Sequence, residues 1–312
     1  WGFCLSQKQF NCLKADTYDI LIDSTLGDGK LTYGELLIKG ESEQEILFSS
    51  YICHPSLAND NLSGPVLLVY LAQELQKMKL KYSYRFLFVP ETIGAITWLE
   101  KNEKALPKIK GGLVVTCVGD RGKMMYQRSR DGNALIDRAV EKVLMDANKK
   151  FEAFDYAPTG SDERQFSSPG FNLQMGSLMR TMYGQFPEYH TSADNLDLID
   201  EKSFADSLNK YLDVVFILEN DGTFKNQNPK CEPQLGKRGL YSAIGSQKNQ
   251  GVIESAIIWV LNQSDGSNSL LDIAINSKIS FKDIKIASDA LIDKGLLKRV
   301  EKSDKRNRCA SH

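Results

Sequence analysis

Histidine is scarce in this sequence, since His54, His190 and His312 are the only three among 312 residues. Cys-x-x-Cys pairs are absent from the six irregularly spaced cysteines, which argues against a zinc ribbon and a disulfide framework. No apolar run approaches the roughly 18 residues of a membrane helix, and no basic segment followed by an apolar one opens the chain. We therefore expect a reduced, cytoplasmic protein that does not enter a membrane.

An excess of charge of one sign is also lacking. The 39 Lys and Arg residues are matched by 40 Asp and Glu residues, for a formal net charge of -1. This balance provides no global basic field for nucleic acid or an anionic membrane. Hydrophobic residues make up 42% and charged residues 25% of the chain, which is typical of a globular protein with a sizeable core.

Strand-like and helical patterns alternate along the middle of the chain. The predicted strands include 45–52, 84–90 and 111–119, and the predicted helices include 64–79, 133–150 and 201–221. Alternation of this kind predicts an α/β fold, a mostly parallel sheet with helices on both faces. We assign residues 45–225 to this domain.

The first 44 residues differ from the rest in pattern. Residues 1–44 are β-rich, with a predicted strand at 18–24, a hairpin turn at 26–29 and a second strand after it. The chain also opens without Met. We interpret this segment as part of an inserted or truncated domain.

The end of the chain predicts a second, smaller unit. Residues 222–245 are rich in Gly, Pro, Asn and Lys and are typical of a connector. Residues 245–312 contain three helical patterns followed by a predicted strand and turn. This order predicts a winged helix-turn-helix.

Imidazole and carboxylate side chains follow the predicted strands, at the sheet edge where open α/β folds bind ligands. His54 follows the first strand, Asp60 comes six residues later, and Glu91 ends the next strand. His190 precedes the last helix. We predict that His54, Asp60 and His190 bind zinc, since two imidazoles and a carboxylate with an open position suit a hydrolytic zinc.

A hydrolytic zinc needs a second group beside it. The ion lowers the pKa of a bound water to about 7 and polarises the substrate carbonyl. A carboxylate outside the ligand set then accepts the proton and passes it to the leaving amine. We predict this general-base role for Glu91.

Four motifs together resemble the co-catalytic zinc aminopeptidases, a superfamily that includes glutamate carboxypeptidase-like proteins and glutaminyl cyclases. ANDNLSG is similar to the bridging-aspartate motif and implies that role for Asp60, and YHTSADN is similar to the last metal-histidine motif and implies His190. PETIG resembles the start of the paired-glutamate motif, with Glu91 as base, and GSDERQF resembles a loop whose aspartate, here Asp162, supports the ligands.

The resemblance is greatest to a bacterial branch of this superfamily. Proteins of that branch carry an aminopeptidase-like domain and a C-terminal winged helix, and their genes lie in polysaccharide-biosynthesis loci. The resemblance implies a zinc-aminopeptidase-like fold for this chain.

Two departures from the family pattern bear on the metal count. Thr92 stands where the family has a second, metal-binding glutamate. Thr116 or Cys117 stands near the place of a further aspartate ligand, with Asp120 slightly beyond. We therefore predict one Zn²⁺ on the three ligands named above, and the alternative is two, with Asp120 as the extra ligand.

Other polar residues near the predicted site carry weaker signals. Asp194 is expected to orient a ligand histidine, the alternative being a cap on the chain entering the last helix. Arg128 and Arg130 are candidates to clamp a substrate carboxylate or phosphate, the alternative being a solvated charged strand. Cys53 and His54 are expected on opposite faces of an extended strand, so we predict no Cys–His pair.

The predicted winged helix is only weakly basic. Residues 245–312 carry 11 Lys or Arg against 8 Asp or Glu. A helix that grips DNA phosphates should be clearly positive, whereas the predicted recognition helix mixes both signs, with Lys282, Asp283, Lys285, Asp289 and Asp293. We expect a protein-contact or homo-oligomerisation module rather than a DNA reader.

The sequence thus predicts a zinc-dependent hydrolase of the aminopeptidase type, which cleaves an amide or peptide bond with Glu91 as base. Its substrate is a small peptide or an amide on an aminosugar. The alternative is a catalytically degenerate zinc-binding protein that acts as a binding or regulatory module through its winged helix. The substitution at Thr92 fits both, and the retained Glu91 favours catalysis.

Overall fold

The computed structural model describes residues 4–14, 17–240 and 250–300. The chain forms two compact units, Trp1–Leu31 and Thr32–His312. Across the described ranges, no helix is both long and apolar enough to cross a bilayer.

The first unit contains one short helix in its described residues. Helix α1, Gln7–Asn11, begins at Ser6, whose hydroxyl accepts from the Gln9 backbone while the Gln9 side chain accepts from the Ser6 backbone. Residues 17–31 form no strand, so the strand predicted at 18–24 and its hairpin are wrong. The strand predicted to be its partner pairs within the sheet of the second unit instead, and a lone strand leaves its backbone groups unpaired.

Seven strands form the main sheet in the described part of the second unit. They are β1 (Gly34–Ile38), β2 (Glu45–Tyr51), β3 (Ser83–Val89), β4 (Ile109–Val114), β5 (Met124–Gln127), β6 (Phe151–Phe154) and β7 (Met175–Met179). Their order is β1-β3-β2-β4-β7-β5-β6. The pairs from β3 through β2 and β4 to β7 are parallel, as is β5 with β6, whereas β1 and β5 run antiparallel to β3 and β7. The predicted mostly parallel sheet is confirmed.

Helices cover both faces of this sheet, as predicted. They are α2 (Ser63–Leu75), α3 (Ile93–Asn102), α4 (Leu135–Asp146), α5 (Glu163–Phe166) and α6 (Glu201–Asn220). Successive side chains of β2 point to opposite faces. Ile46 and Phe48 therefore pack with α2, α4 and α6, while Leu47 packs with α3 and with Phe166 of α5. Short helical turns lie at Ala58–Leu62, Glu103–Lys108, Leu196–Leu198 and Gly236–Arg238.

A winged helix-turn-helix completes the second unit. Its elements are β8 (Thr223–Asn226), α7 (Gln250–Gln263), β9 (Asp265–Ser269), α8 (Leu270–Ser277), α9 (Phe281–Asp293) and β10 (Leu297–Arg299). The three strands pair antiparallel in the order β10-β8-β9. The segment predicted as a connector thus supplies the central strand of this sheet, which is a correction. The turn predicted beyond β10 lies outside the described residues.

The winged helix packs on the α/β domain, and the N-terminus of α9 is one of its contacts. Asp146 at the end of α4 accepts the Phe281 backbone N–H at 2.9 Å, at the first residue of α9. Lys282 pairs with Asp213 of α6 at 2.7 Å. The N-terminus of the recognition helix therefore faces the α/β domain.

Candidate metal centre

The carboxyl ends of β2 and β3 bring two predicted site segments together. β2 ends at Tyr51 and leads to His54, and a tight turn over Ala58–Leu62 then carries Asp60 into the interior. β3 ends at Val89, two residues before Glu91. The sheet order, with β2 beside β3, therefore places these segments side by side at one edge.

Asp60 is buried, and one of its carboxylate oxygens accepts no hydrogen bond within the described part of the chain. Tyr51 donates its hydroxyl hydrogen to Oδ1. Burial raises the pKa of Tyr51 well above its usual value, so the phenol keeps the proton that it donates. Oδ2 accepts no hydrogen bond from any described residue, although it lies 3.0 Å from His190 Nε2. A buried carboxylate oxygen of this kind needs a cation or a donor.

The two histidines flank this oxygen. The rings of His54 and His190 lie 5.2 Å apart between centroids, nearly parallel at 28°. Tyr189 stacks on His190 at 4.0 Å and holds its ring in place. Ligand atoms of His54, Asp60 and His190 all lie within 4.8 Å of one another. Two donors on a tetrahedral zinc lie about 3.4 Å apart, so side-chain movements of about an ångström would bring the three ligand atoms to a common ion.

Asp194 holds the Asp60 segment through its backbone. Its two oxygens accept the N–H groups of Asn59 at 2.6 Å and Asp60 at 2.9 Å, and its own carbonyl accepts the Ala58 N–H at 3.0 Å. The side chain is fully buried. We expected Asp194 to orient a ligand histidine, but the structure places it behind the aspartate instead.

Asp120 is already saturated with hydrogen bonds. It accepts from the Asn59 amide at 3.1 Å, the Gly122 N–H at 2.6 Å and both the N–H and hydroxyl of Thr181, at 3.2 and 2.7 Å. Within the described residues it does not join a group able to hold a metal ion. Its contacts describe a residue that fixes the loop after β4.

Glu91 and Asp162 lie on facing loops. The Ser161 hydroxyl donates to Glu91 Oε1 at 2.7 Å. Asp162 accepts the Thr92 N–H at 2.7 Å on Oδ1, while its buried Oδ2 has no partner among the described residues. Burial raises the pKa of Asp162 to about 7, although the Thr92 N–H opposes this shift. Glu91 thus stands half-buried near His54 of the candidate metal centre, with its carboxylate held by one hydroxyl.

Cys53 is placed against expectation. Its Sγ lies 3.3 Å from His54 Nδ1 and accepts the Glu91 backbone N–H at 3.3 Å. The prediction that Cys53 and His54 point apart is wrong, because β2 ends at Tyr51 and the alternation of a strand no longer applies.

Arg128 and Arg130 make contacts of their own. Arg128 pairs with Glu141 at 2.5 Å and with Asp155 at 2.7 Å. Arg130 donates to the Ser167 carbonyl at 3.4 Å. Arg128 therefore acts in this structure as a brace between α4 and the loop after β6.

Sequence reasoning missed three residues that shape the centre. Tyr51 holds Asp60 and lies 2.6 Å from the Thr116 hydroxyl. Tyr189 supports His190, and Asn59 links Asp120 to the Gly119 N–H. Asn59 and Tyr189 directly precede predicted ligands, so their adjacency was an available signal. The contact from Tyr51 needed the fold.

Two family models match the chain. One, described as domain of unknown function (DUF4910), matches residues 14–221. The other, described as winged helix-turn-helix, matches residues 222–299. The second match begins at β8, in agreement with the corrected start of this unit.

A named protein and a crystal structure from Clostridium acetobutylicum are each similar to nearly the whole chain. A Clostridium acetobutylicum protein, provisionally named a polysaccharide biosynthesis protein with aminopeptidase-like domain, is 57% identical over 300 residues, which are 96% of this chain and 69% of that protein. A crystal structure from Clostridium acetobutylicum, provisionally described as a peptidase, is 56% identical with a TM-score of 0.86, over 96% of this chain and 68% of that one.

A more distant structure shows the fold alone. A zinc aminopeptidase from Bacillus subtilis is 16% identical with a TM-score of 0.50, over 60% of this chain and 48% of that one. Together with the relatives above, this match confirms the predicted zinc-aminopeptidase-like fold and the predicted resemblance to the bacterial branch with a winged helix.

Proposed function

The chain belongs to the family described as domain of unknown function (DUF4910), followed by a winged helix-turn-helix, and from this premise we propose a zinc-dependent hydrolase of the aminopeptidase type, which cleaves an amide or peptide bond. One observation carries the proposal. The buried Asp60 Oδ2 accepts no hydrogen bond in the described structure and faces an imidazole nitrogen at 3.0 Å. A buried carboxylate oxygen without a partner is costly, and a cation shared with two imidazoles offsets this cost.

The donor set suits zinc. Two imidazoles and one carboxylate are the ligands of many catalytic zinc sites, which keep one position open. When bound, zinc would supply Lewis-acid chemistry, polarising a carbonyl and acidifying water. The chain prepares the ligands in advance, because Tyr51 occupies Asp60 Oδ1 and leaves Oδ2 facing His190. We propose one ion on His54, Asp60 and His190.

Glu91 is positioned to move the proton. Its Oε1 accepts from Ser161 at 2.7 Å, which leaves Oε2 to accept a proton from the attacking water. Glu91 and His54 also have ligand atoms within 4.8 Å of each other. The carboxyl then returns the proton to the leaving amine nitrogen, so the C–N bond breaks with a neutral amine as product.

The substrate is proposed as a small peptide or an amide on an aminosugar. An aminopeptidase-like fold supports the peptide, and the name of the Clostridium relative, which refers to polysaccharide biosynthesis, supports the aminosugar amide. Both present an amide carbonyl to the same centre, so the chemistry is shared.

The winged helix is proposed to contact protein, in this chain and in a partner or second copy. DNA readers place the N-terminal residues of the recognition helix against base edges. Here Phe281 and Lys282 at that end of α9 bind Asp146 and Asp213 of the α/β domain. This contact disfavours the DNA mode.

Hydrolysis assays with a matched pair of variants test the proposal. We expect zinc-dependent release of chromophore from aminoacyl p-nitroanilides, or of acetate from an N-acetylated aminosugar. Glu91→Gln should lower kcat by about 10²–10⁴-fold while zinc still binds. Glu100→Gln, an exposed change on the adjacent α3, is the control and should keep full activity. Bound zinc without hydrolysis of either substrate would favour the alternative, a degenerate zinc-binding protein, for which Thr92 is the supporting feature.

A further inference from the structure

A second group of metal-ligating side chains lies beside the first. We propose that Cys53, His54 and Glu91 form a sulfur-containing metal position that overlaps the first through His54 and takes a thiophilic divalent cation. Ligand atoms of these three residues lie within 4.8 Å of one another. The proposed function does not use Cys53, which is a free and exposed thiol.

Cys53 already contacts both of its proposed partner residues. Its Sγ lies 3.3 Å from His54 Nδ1, and the Glu91 backbone N–H donates to it at 3.3 Å. Donation from a backbone N–H to a ligand sulfur stabilises its negative charge and orients it. When an ion binds, the metal–sulfur bond forms and the Sγ–H proton leaves to solvent, so charge and atoms balance.

An ion can reach this position from solvent. Cys53 is exposed, and His54 and Glu91 are half-buried. Asp60, in contrast, is buried. The outer position is therefore open to metal exchange, whereas the inner one is enclosed on its carboxylate side.

The two positions select different ions. The inner donors are nitrogen and oxygen only, whereas the outer position adds a soft thiolate. Thiolate ligands favour Cd²⁺ and Zn²⁺ over hard cations such as Mg²⁺. Cadmium, or zinc in excess, is thus the expected occupant of the outer position.

Occupancy of the outer position would inhibit the enzyme. An ion there binds the Glu91 carboxylate, which can then no longer accept a proton, and it draws His54 away from the inner ligands. This regulatory consequence rests on the proposed function, but the coordination by Cys53 does not. The two can therefore fail separately.

Cobalt spectroscopy on the full chain tests the coordination directly. The protein is stripped with chelator and titrated with Co²⁺, and sulfur-to-cobalt charge-transfer absorption in the near ultraviolet is recorded. We expect this band in the parent protein, its loss in Cys53→Ser, and its retention in Cys231→Ser, which removes another exposed thiol. Absence of the band, or a band that survives Cys53→Ser, would overturn the proposal.

Cadmium binding, circular dichroism and alkylation of the thiol complete the test. Cys53→Ser should bind Cd²⁺ at least about tenfold more weakly, since losing a direct ligand costs no less than losing a group that supports one. Circular dichroism checks that Cys53→Ser folds. If this variant does not fold, alkylation of Cys53 in the folded parent protein takes its place and should abolish the sulfur-to-cobalt band.

A third variant separates this proposal from the proposed function. Asp60→Asn should keep the sulfur band, because Asp60 is not a ligand of the outer position. If the sulfur band is present, Asp60→Asn leaves the zinc content unchanged and no substrate is hydrolysed, the proposed function alone is rejected. Inhibition by excess zinc that persists unchanged in Cys53→Ser would reject the regulatory consequence.

Discussion

Replacing Asp194 by asparagine tests how the metal centre is supported from behind. Each carboxylate oxygen accepts one backbone N–H, from Asn59 at 2.6 Å and from Asp60 at 2.9 Å, in a fully buried place. Asparagine has the same shape but a single oxygen, so one N–H would face an amide NH₂ instead. Hydrogen bonds to charged groups contribute about 1.5–3 kcal/mol, and an unpaired buried donor costs about 1–3 kcal/mol. We expect Asp194→Asn to lower the free energy of unfolding by about 3 kcal/mol.

The same change should weaken zinc binding, because Asp60 loses the contact that orients it. Losing such a supporting group usually costs about 10–100-fold in metal affinity. Urea unfolding of chelator-treated protein measures the first effect, and zinc titration against a competing chelator measures the second. Asp197→Asn, an exposed change in the same loop, is the control and should alter neither. If Asp194→Asn and Asp197→Asn have the same stability and the same zinc affinity, Asp194 does not support Asp60 in this way.

Three further predictions concern pH, metal count and domain packing. Burial raises the pKa of Asp162 to about 7, so folding favours the neutral carboxyl. The free energy of unfolding gains from this proton below about pH 4, and the gain is lost as pH rises to about 7. Asp162→Asn, which stays neutral, should therefore gain stability relative to the parent between about pH 5 and about pH 8, by up to about 4 kcal/mol in urea unfolding; a constant difference would contradict this. Thr92→Glu restores the carboxylate that the resemblance implies for a second metal, so elemental analysis should show zinc content rising from about one to about two equivalents, and an unchanged content would count against that interpretation. Arg138 and Asp272 pair at 2.5 Å between α4 and α8, so a double-mutant cycle to alanine should give about 0.5–1 kcal/mol of coupling, whereas no coupling would contradict this packing in solution.

The fold class and the three residues of the candidate metal centre could be predicted because their signals are local. The run of buried residues in β2 and the amphipathic pattern of α4 are readable from neighbouring residues. His54 and His190 were conspicuous because so few histidines are present. Their meeting with Asp60 followed from strand order, since the carboxyl ends of parallel strands share one edge.

The errors came from features that depend on distant partners. The strand predicted at 18–24 has the right residue types, but its expected partner, β1, pairs with β3 instead. Thr223–Asn226 lies in a Gly- and Pro-rich stretch and becomes a strand only because β9 and β10 pair with it. The contact between Cys53 and His54 depends on where β2 ends, which the sequence does not specify to one residue. Asp194 was assigned to the wrong ligand, because its contact crosses 134 residues of chain.

Anomalous diffraction at the zinc edge, on crystals of the full chain grown with limiting zinc, shows whether His54, Asp60 and His190 share one ion. We predict a single zinc peak about 2.0–2.2 Å from Asp60 Oδ2 and from one imidazole nitrogen each of His54 and His190. A zinc peak that lies beyond bonding distance of Asp60, or no peak although the protein binds zinc in solution, would contradict this prediction.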